Sequence, residues 1–251
     1  GKAAAGHRLF VAGPQVGYGY PGLLFEYDVH GPGLDARGAS FPGSGPYVEL
    51  GRGPDFSWSA TSSGTDIIDQ FAERLCGSDT SYKFDGKCRD MTTFDAGTLV
   101  PAAGQPSRPV RFRETVHGPV IGYATADGKR VAISSKRSTR GREMVSSLGF
   151  EDFNSNVDSV RSFLRAASKI ELSFNWFYAD SKHIALFSSG RVPDRAGGVN
   201  LGLPTDGSGK NEWRGFLTPR EHPHVVRPSG QEVISWGNKR GREWTAADNE
   251  R

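Results

Sequence analysis

The sequence predicts an α+β fold in which strands dominate. Thirty-three glycines and fifteen prolines are spread along 251 residues. Between them lie short runs of Val, Ile, Phe, Tyr and Trp, the pattern of many strands joined by tight turns. Against that background one stretch, 156–170, has the three-and-four spacing of an amphipathic helix. A chain of this length can bury a large core, and 1–251 is read as a single domain.

Taken in order, HRLFVA (7–12) reads as a strand that stops at the Gly13-Pro14 breaker, and LLFEYDVH (23–30) as the next, alternating once past its leucines. Gln15 lies on the connection between them, an uncharged amide between Pro14 and a glycine-rich apolar run. Short strands follow at LDARGASF (34–41), YVELG (47–51) and DFSWSATS (55–62), each closed by Gly or Pro. TDIIDQFAERL (65–75) is open to two readings. Ile67, Ile68, Phe71, Ala72 and Leu75 recur at helical intervals, while the β-branched residues at its start permit an extended chain.

Cys76 and Cys88 flank the polar loop GSDTSYKFDGK. Two isolated cysteines in a cytosolic protein are usually free thiols, whereas a pair bracketing a short Gly- and Asp-rich loop closes as a disulfide in an oxidising compartment; the spacing favours the disulfide. PVRFRETVHGPVIGYATADGKRVAISSK (109–136) holds three strand-like runs, the last two joined by a turn at Asp127-Gly128. In the helical stretch Val157, Val160, Leu164 and Ala167 line one face, with Asn156 or Ser155 as cap. ELSFNWFYAD (171–180) and HIALFSS (183–189) are strands across a DSKH turn. The segment 190–230 is irregular and turn-rich, and EVISW (232–236) is the last strand.

The net charge of +3 comes from 31 basic and 28 acidic residues that are dispersed, so no nucleic-acid partner is implied. The dense basic run KRGRE (239–243) reads as a solvated loop. No stretch reaches the apolar length that spans a bilayer, and GKAAAGHRLF lacks the pattern of a signal peptide, so a soluble chain with no membrane partner is expected. The six histidines are scattered. None stands in HExxH, no cysteine pair has zinc spacing, and there is neither a G-x-S-x-G elbow nor a P-loop. His222 and His224 in EHPHV have the spacing to clamp a metal, but in a Pro-rich segment they read as surface-loop residues, and His117 in TVHGPVIG reads as a hydrogen-bonded structural histidine. Asp66 and Asp69 stand three apart with the Ile68 carbonyl between them, the oxygen mixture a hard cation wants, although an Asp pair alone reads as two solvated turn acids.

Several stretches resemble one family. AGPQVGYGYPGLLFEYDVHGPGLDARGASFPG, GRGPDFSWSATSSGTDIIDQFAERL, TVHGPVIG, FNWFYADSKHIALFSSGRVPDR, EWRGFL and ISWGNK stand here in the order in which similar motifs stand in the β subunit of the penicillin acylases. The likeness runs from about Gly1 to the last residues, and no single motif carries it. Those enzymes are N-terminal-nucleophile amidohydrolases. The resemblance implies a four-layer α/β/β/α sandwich, incomplete in this chain. It also implies a precursor that cuts itself, exposing an N-terminal serine as nucleophile while the serine's own α-amine, which titrates near neutrality, serves as base. The implied reaction hydrolyses the amide of a small acyl-amide substrate in a periplasmic or secreted setting, with an α subunit from the same precursor as partner.

Position by position, the resemblance implies that Gln15 orients the reacting amine and that Ser62, four places after Trp58, donates a backbone N–H to the oxyanion. The second oxyanion donor of the family is an asparagine directly after a tryptophan. Here Gly237 stands there with Asn238 next, so that Asn238 takes the role, or a water does, or the protein is a catalytically weak or inactive binding homologue. Val16 and Leu50 match aromatic residues of the acyl pocket and imply a wider apolar pocket. Calcium, in a structural role, is implied at Asp66, the carbonyl of Ile68, Asp69, the carbonyl of Pro193, and Asp248. The nucleophilic serine is expected upstream of Gly1, and the chain is read as an internal fragment that is inactive alone.

Overall fold

The computed structural model describes residues 10–12, 16–17 and 19–228. They gather into two units, the first made of residues up to Thr65, Thr139–Val192 and the stretch from Leu217, the second of Asp66–Ser138 and Pro193–Phe216. Along the chain come β1 (Phe25–Gly31), β2 (Leu34–Ser40), β3 (Leu50–Arg52) and β4 (Phe56–Ser62). Then follow β5 (Ile68–Cys76), β6 (Ser78–Phe84), β7 (Lys87–Asp90), β8 (Thr92–Leu99), β9 (Arg108–Thr115), β10 (Gly118–Ala126) and β11 (Lys129–Arg137). Two helices, α1 (Ser147–Ser155) and α2 (Val160–Ala167), precede β12 (Phe174–Asp180) and β13 (His183–Ser188). The short β14 (Pro193–Asp194), β15 (Thr205–Asp206) and β16 (Gly215–Phe216) lead to β17 (His224–Pro228).

In the first unit seven antiparallel strands run in the order β1-β2-β3-β4-β12-β13-β17. The period of two puts Phe56 and Trp58 of β4 and Trp176 and Tyr178 of β12 on one face, and Phe153 of α1 and Phe163 of α2 close over them. Ring centroids lie 5.0 Å apart for Phe153 and Trp176 and 4.8 Å for Phe163 and Tyr178. Each such burial contributes about 1.5–3 kcal/mol, which makes this aromatic layer the main support of the sheet.

The helical stretch expected over 156–170 is shorter, and a second helix precedes it. Asn156 closes α1, its N–H donating to the Asp152 carbonyl at 2.8 Å, instead of opening a helix. Ser159 is the cap of α2, accepting from the N–H of Ser162 in a reciprocal capping box. Val157 still packs against the core from the connection, which is why its spacing mimicked a helical face.

In the second unit the order is β7-β6-β5-β11-β10-β9-β8, with β15 parallel to β5. The ambiguous 65–75 segment is extended: β5 alternates, with Asp69, Phe71 and Glu73 buried. The polar loop expected between the cysteines is a hairpin, β6 turning into β7 over Asp85-Gly86, where φ is 49° and 74°. The turn at Asp127-Gly128 has the same left-handed pair, 51° and 70°, as a two-residue type I′ connection requires. Cys76 and Cys88 form a disulfide across 6.1 Å between Cα atoms.

Of the strand expected over 7–12, the described residues Phe10–Ala12 are not in a strand, since alternation alone supplies no ladder partner. The turn-rich 190–230 segment contributes β17 to the first sheet, paired along β13 from His183↔Pro228 to Phe187↔His224. EVISW lies outside the described residues. No described helix is long and apolar enough to cross a membrane.

Candidate functional site

In the first unit the interest is the end of β4. The ladder between β4 and β3 covers only Trp58↔Gly51 and Ser57↔Arg52, whereas the ladder to β12 continues to Ser62↔Phe174. β3 begins only at Leu50 because the residues before it turn elsewhere. Asn154 of α1 grips Val48 at both backbone groups, accepting from its N–H and donating to its carbonyl, both at 2.9 Å. The N–H of Glu49 donates to the carbonyl of Ala39 at 3.2 Å. Beyond Trp58, therefore, the β3 side of β4 carries no ladder among the described residues.

Backbone groups of successive strand residues point to opposite edges. Ser63 donates its N–H to the carbonyl of Ser173, the residue just before β12, at 3.4 Å, so the N–H of Ser62 points the other way, off the open edge. Ser62 itself is exposed. Leu50, half-buried, stands where β3 begins on that same side. Val16 is half-buried and outside any strand. Gln15, Gly237, Asn238 and Asp248 lie outside the described residues.

In the second unit Asp66 and Asp69 are each 3% exposed, burial far beyond that of solvated turn acids. Arg195, from the VPDR motif, serves both. Its Nε donates to Asp69 Oδ2 at 2.8 Å, its Nη2 donates to the Asp66 carbonyl at 3.0 Å, and Nη2 stands 3.2 Å from Asp66 Oδ1. The indole N–H of Trp213 donates to the same Asp69 oxygen at 2.6 Å. The donor atoms of the pair are hard oxygens. Ile68 opens β5 beside them, and Pro193 is buried in β14. Among the described residues no group of three or more His, Cys, Asp and Glu is arranged to hold a metal, so this acid pair can supply only part of a shell of six to eight oxygens.

A second buried array in this unit was not visible as a constellation in the sequence. His117 sits in the β9–β10 turn with Nδ1 2.7 Å from Glu73 Oε1 and Nε2 2.6 Å from Glu212 Oε1. Its ring stacks on Phe71 with centroids 3.9 Å apart. Ser134 and Thr115 donate to the same Glu73 oxygen at 2.6 and 2.8 Å, and Lys136 donates to Glu212 Oε2 at 2.7 Å. Burial pulls the imidazole pKa down, but the bonds to Glu212 and Glu73 outweigh it and hold His117 above its ordinary value. The bond from His117, against some desolvation and with help from Lys136, holds Glu212 down at about 2. His222 goes the opposite way: it is buried with Nδ1 2.9 Å from the Ser188 carbonyl, and desolvation lowers its pKa. It is thus an interior residue and not the surface-loop residue that EHPHV suggested.

The family model for penicillin amidase matches residues 1–250. Among curated proteins the chain is 30% identical over 249 residues to a penicillin G acylase of Escherichia coli, covering 98% of this chain and 29% of that protein. It is 29% identical over 239 residues to the acyl-homoserine lactone acylase QuiP of Pseudomonas fluorescens, covering 88% and 28%. The chain thus spans less than a third of the length of these curated relatives. Among solved structures it is similar to a thermostable penicillin G acylase from Alcaligenes faecalis, with a TM-score of 0.85 and 30% identity over 95% of this chain and 42% of that one.

Proposed function

Because the chain belongs to the penicillin amidase family, we propose that it forms part of an acyl-amide hydrolase and carries one wall of its oxyanion site. The observation that supports this best is the end of β4, where the Ser62 N–H points off a sheet edge that β3 has vacated. In the reaction we propose, an N-terminal serine of the complete protein attacks the acyl carbonyl, and its proton passes to the serine's own α-amine. The carbonyl oxygen, now negative, takes a hydrogen bond from the N–H of Ser62. The amine product leaves with the proton, and water then releases the acid from the acyl-serine.

Gln15 would orient the amine. Val16 and Leu50 would border the acyl pocket, and their aliphatic side chains favour alkyl as much as aryl chains. The relatives' names, penicillin G acylase and acyl-homoserine lactone acylase, share only the acyl group. Asn238 would replace the family asparagine that Gly237 lacks. A structural calcium fits the buried acid pair: Asp66 and Asp69 would bind it with the carbonyls of Ile68 and Pro193 and with Asp248. The Cys76–Cys88 disulfide supports a periplasmic or secreted protein. The remaining parts, an α subunit and the other layers of a four-layer sandwich, would come from the rest of the precursor.

The test is hydrolysis of chromogenic acyl anilides, alkyl and aryl, by the complete processed protein. We expect turnover of at least one series, and a fall of about a hundred- to a thousand-fold in kcat for Asn238→Ala, the cost that removing one oxyanion donor typically carries. Binding of the anilides without turnover would instead establish the non-catalytic homologue.

A further inference from the structure

The end of β4 runs into a group of hydroxyls that the proposed reaction does not itself use. Ser63 is 0% exposed and Thr65 1%. Ser63 Oγ pairs with Thr65 Oγ1 and lies 2.9 Å from Ser173 Oγ. The N–H of Thr65 donates to Ser173 Oγ at 2.8 Å, and Thr65 Oγ1 donates to the Ser189 carbonyl at 3.2 Å. Between Ser63 and Thr65, Gly64 turns with φ 61°, a left-handed step that ends the strand. The contacts tie the residues that follow β4 to Ser173, just before β12, and to Ser189, just after β13. The open edge that carries the Ser62 N–H is on the other side.

Buried hydroxyls such as those of Ser63 and Thr65 are a poor choice for stability alone, since apolar residues of the same shape can serve nearly as well. A fully satisfied polar network, by contrast, fixes one geometry. An oxyanion donor must be held in place before charge develops, and an N–H at a strand end next to a glycine turn would otherwise move.

We infer that the Ser63–Thr65–Ser173 hydroxyl group is a positioning device that holds the end of β4 so that the Ser62 N–H stays aimed at the oxyanion. The inference rests on the oxyanion role proposed above for Ser62. These three are positioning residues, reached by neither substrate nor product.

The experiment uses the complete processed protein with an acyl anilide it turns over, and the variants Ser63→Ala, Thr65→Val, Ser173→Ala and Thr65→Ser. Tyr178→Phe is the control, because it removes a hydrogen bond to Asp180 at the far end of β12. We expect the first three to lower kcat about ten-fold or more with KM within two-fold, since an oxyanion contact is made only in the transition state. Their affinity for an acyl-side boronic acid, whose tetrahedral adduct needs the same N–H, should fall in step. Thr65→Ser keeps the hydroxyl and should keep kcat, and Tyr178→Phe should lower Tm alone. If kcat stays within two-fold in the folded members of the first three, or falls equally in Tyr178→Phe, the inference is wrong while the proposed function stands. A wild-type protein without turnover overturns both.

Discussion

Glu73 has no exposed surface, yet it is the hub of the second unit's interior, because one of its oxygens receives Ser134, Thr115 and an imidazole N–H. With Glu212 at the other nitrogen, His117 is stable only as imidazolium: a neutral ring would turn a lone pair towards one carboxylate. Its pKa is raised from 6.5 in the folded protein, so its contribution is complete below that value and is lost as pH rises through the folded pKa. Glu212, held down from 4.5 to about 2, contributes above its ordinary value and stops contributing as pH falls through about 2. Urea midpoints of the complete protein should therefore fall on the alkaline side in wild type, and His117→Gln should be lower overall but flat there. An alkaline fall of equal size in His117→Gln would refute this. The structural role of His117 was legible in TVHGPVIG, but its partners were not. They lie 44 and 95 residues away, and Glu73 would have drawn notice only once 65–75 had been read as extended, with every second residue inward.

The two helices show how packing decides what propensity leaves open. Gly149 sits inside α1, where alanine ordinarily gains about 1 kcal/mol. Here an added Cβ would press into Ile170 Cγ1 and lie 2.7 Å from the Ala166 carbonyl of α2, and overpacking of that kind costs about 1–3 kcal/mol. Gly149→Ala should therefore destabilise by a net ~1 kcal/mol, and by at most about 2, seen as a lower chemical-denaturation midpoint. A raised midpoint would show that α2 shifts freely. Strand hairpins were the easiest elements to read. The Asp127-Gly128 turn is legible in the sequence, whereas the same Asp-Gly signal at 85–86 sits inside a segment whose polar composition suggests a loop. Composition misled there because β6 and β7 are largely exposed, so their polar residues face water and not a core.

At the scale of the molecule the calcium proposal is a statement about stability. A ligand that binds only the folded state adds RT ln(1 + [L]/Kd), about 2.7 kcal/mol at a hundred times Kd. Adding calcium to the EDTA-treated complete protein should raise its Tm, and Asp69→Asn should abolish that rise even though its own Tm starts lower. An identical rise in the variant would place the ion elsewhere. What the sequence could not show at this scale is that the motifs divide between two units: Ser62 belongs to the first and the acid pair to the second. Spacing along a chain carries no record of which sheet each strand enters.

That division also bears on how the protein is made. β4 finds its neighbour β12 only after the whole of β5–β11 has been synthesised. At ribosomal speeds of about 5–20 residues per second, roughly ten seconds pass with the β4 edge unmatched. For that interval Trp58 and Phe56 lack the aromatic layer that covers them in the fold, and the nascent chain is more open to aggregation and proteolysis than the finished fold would suggest.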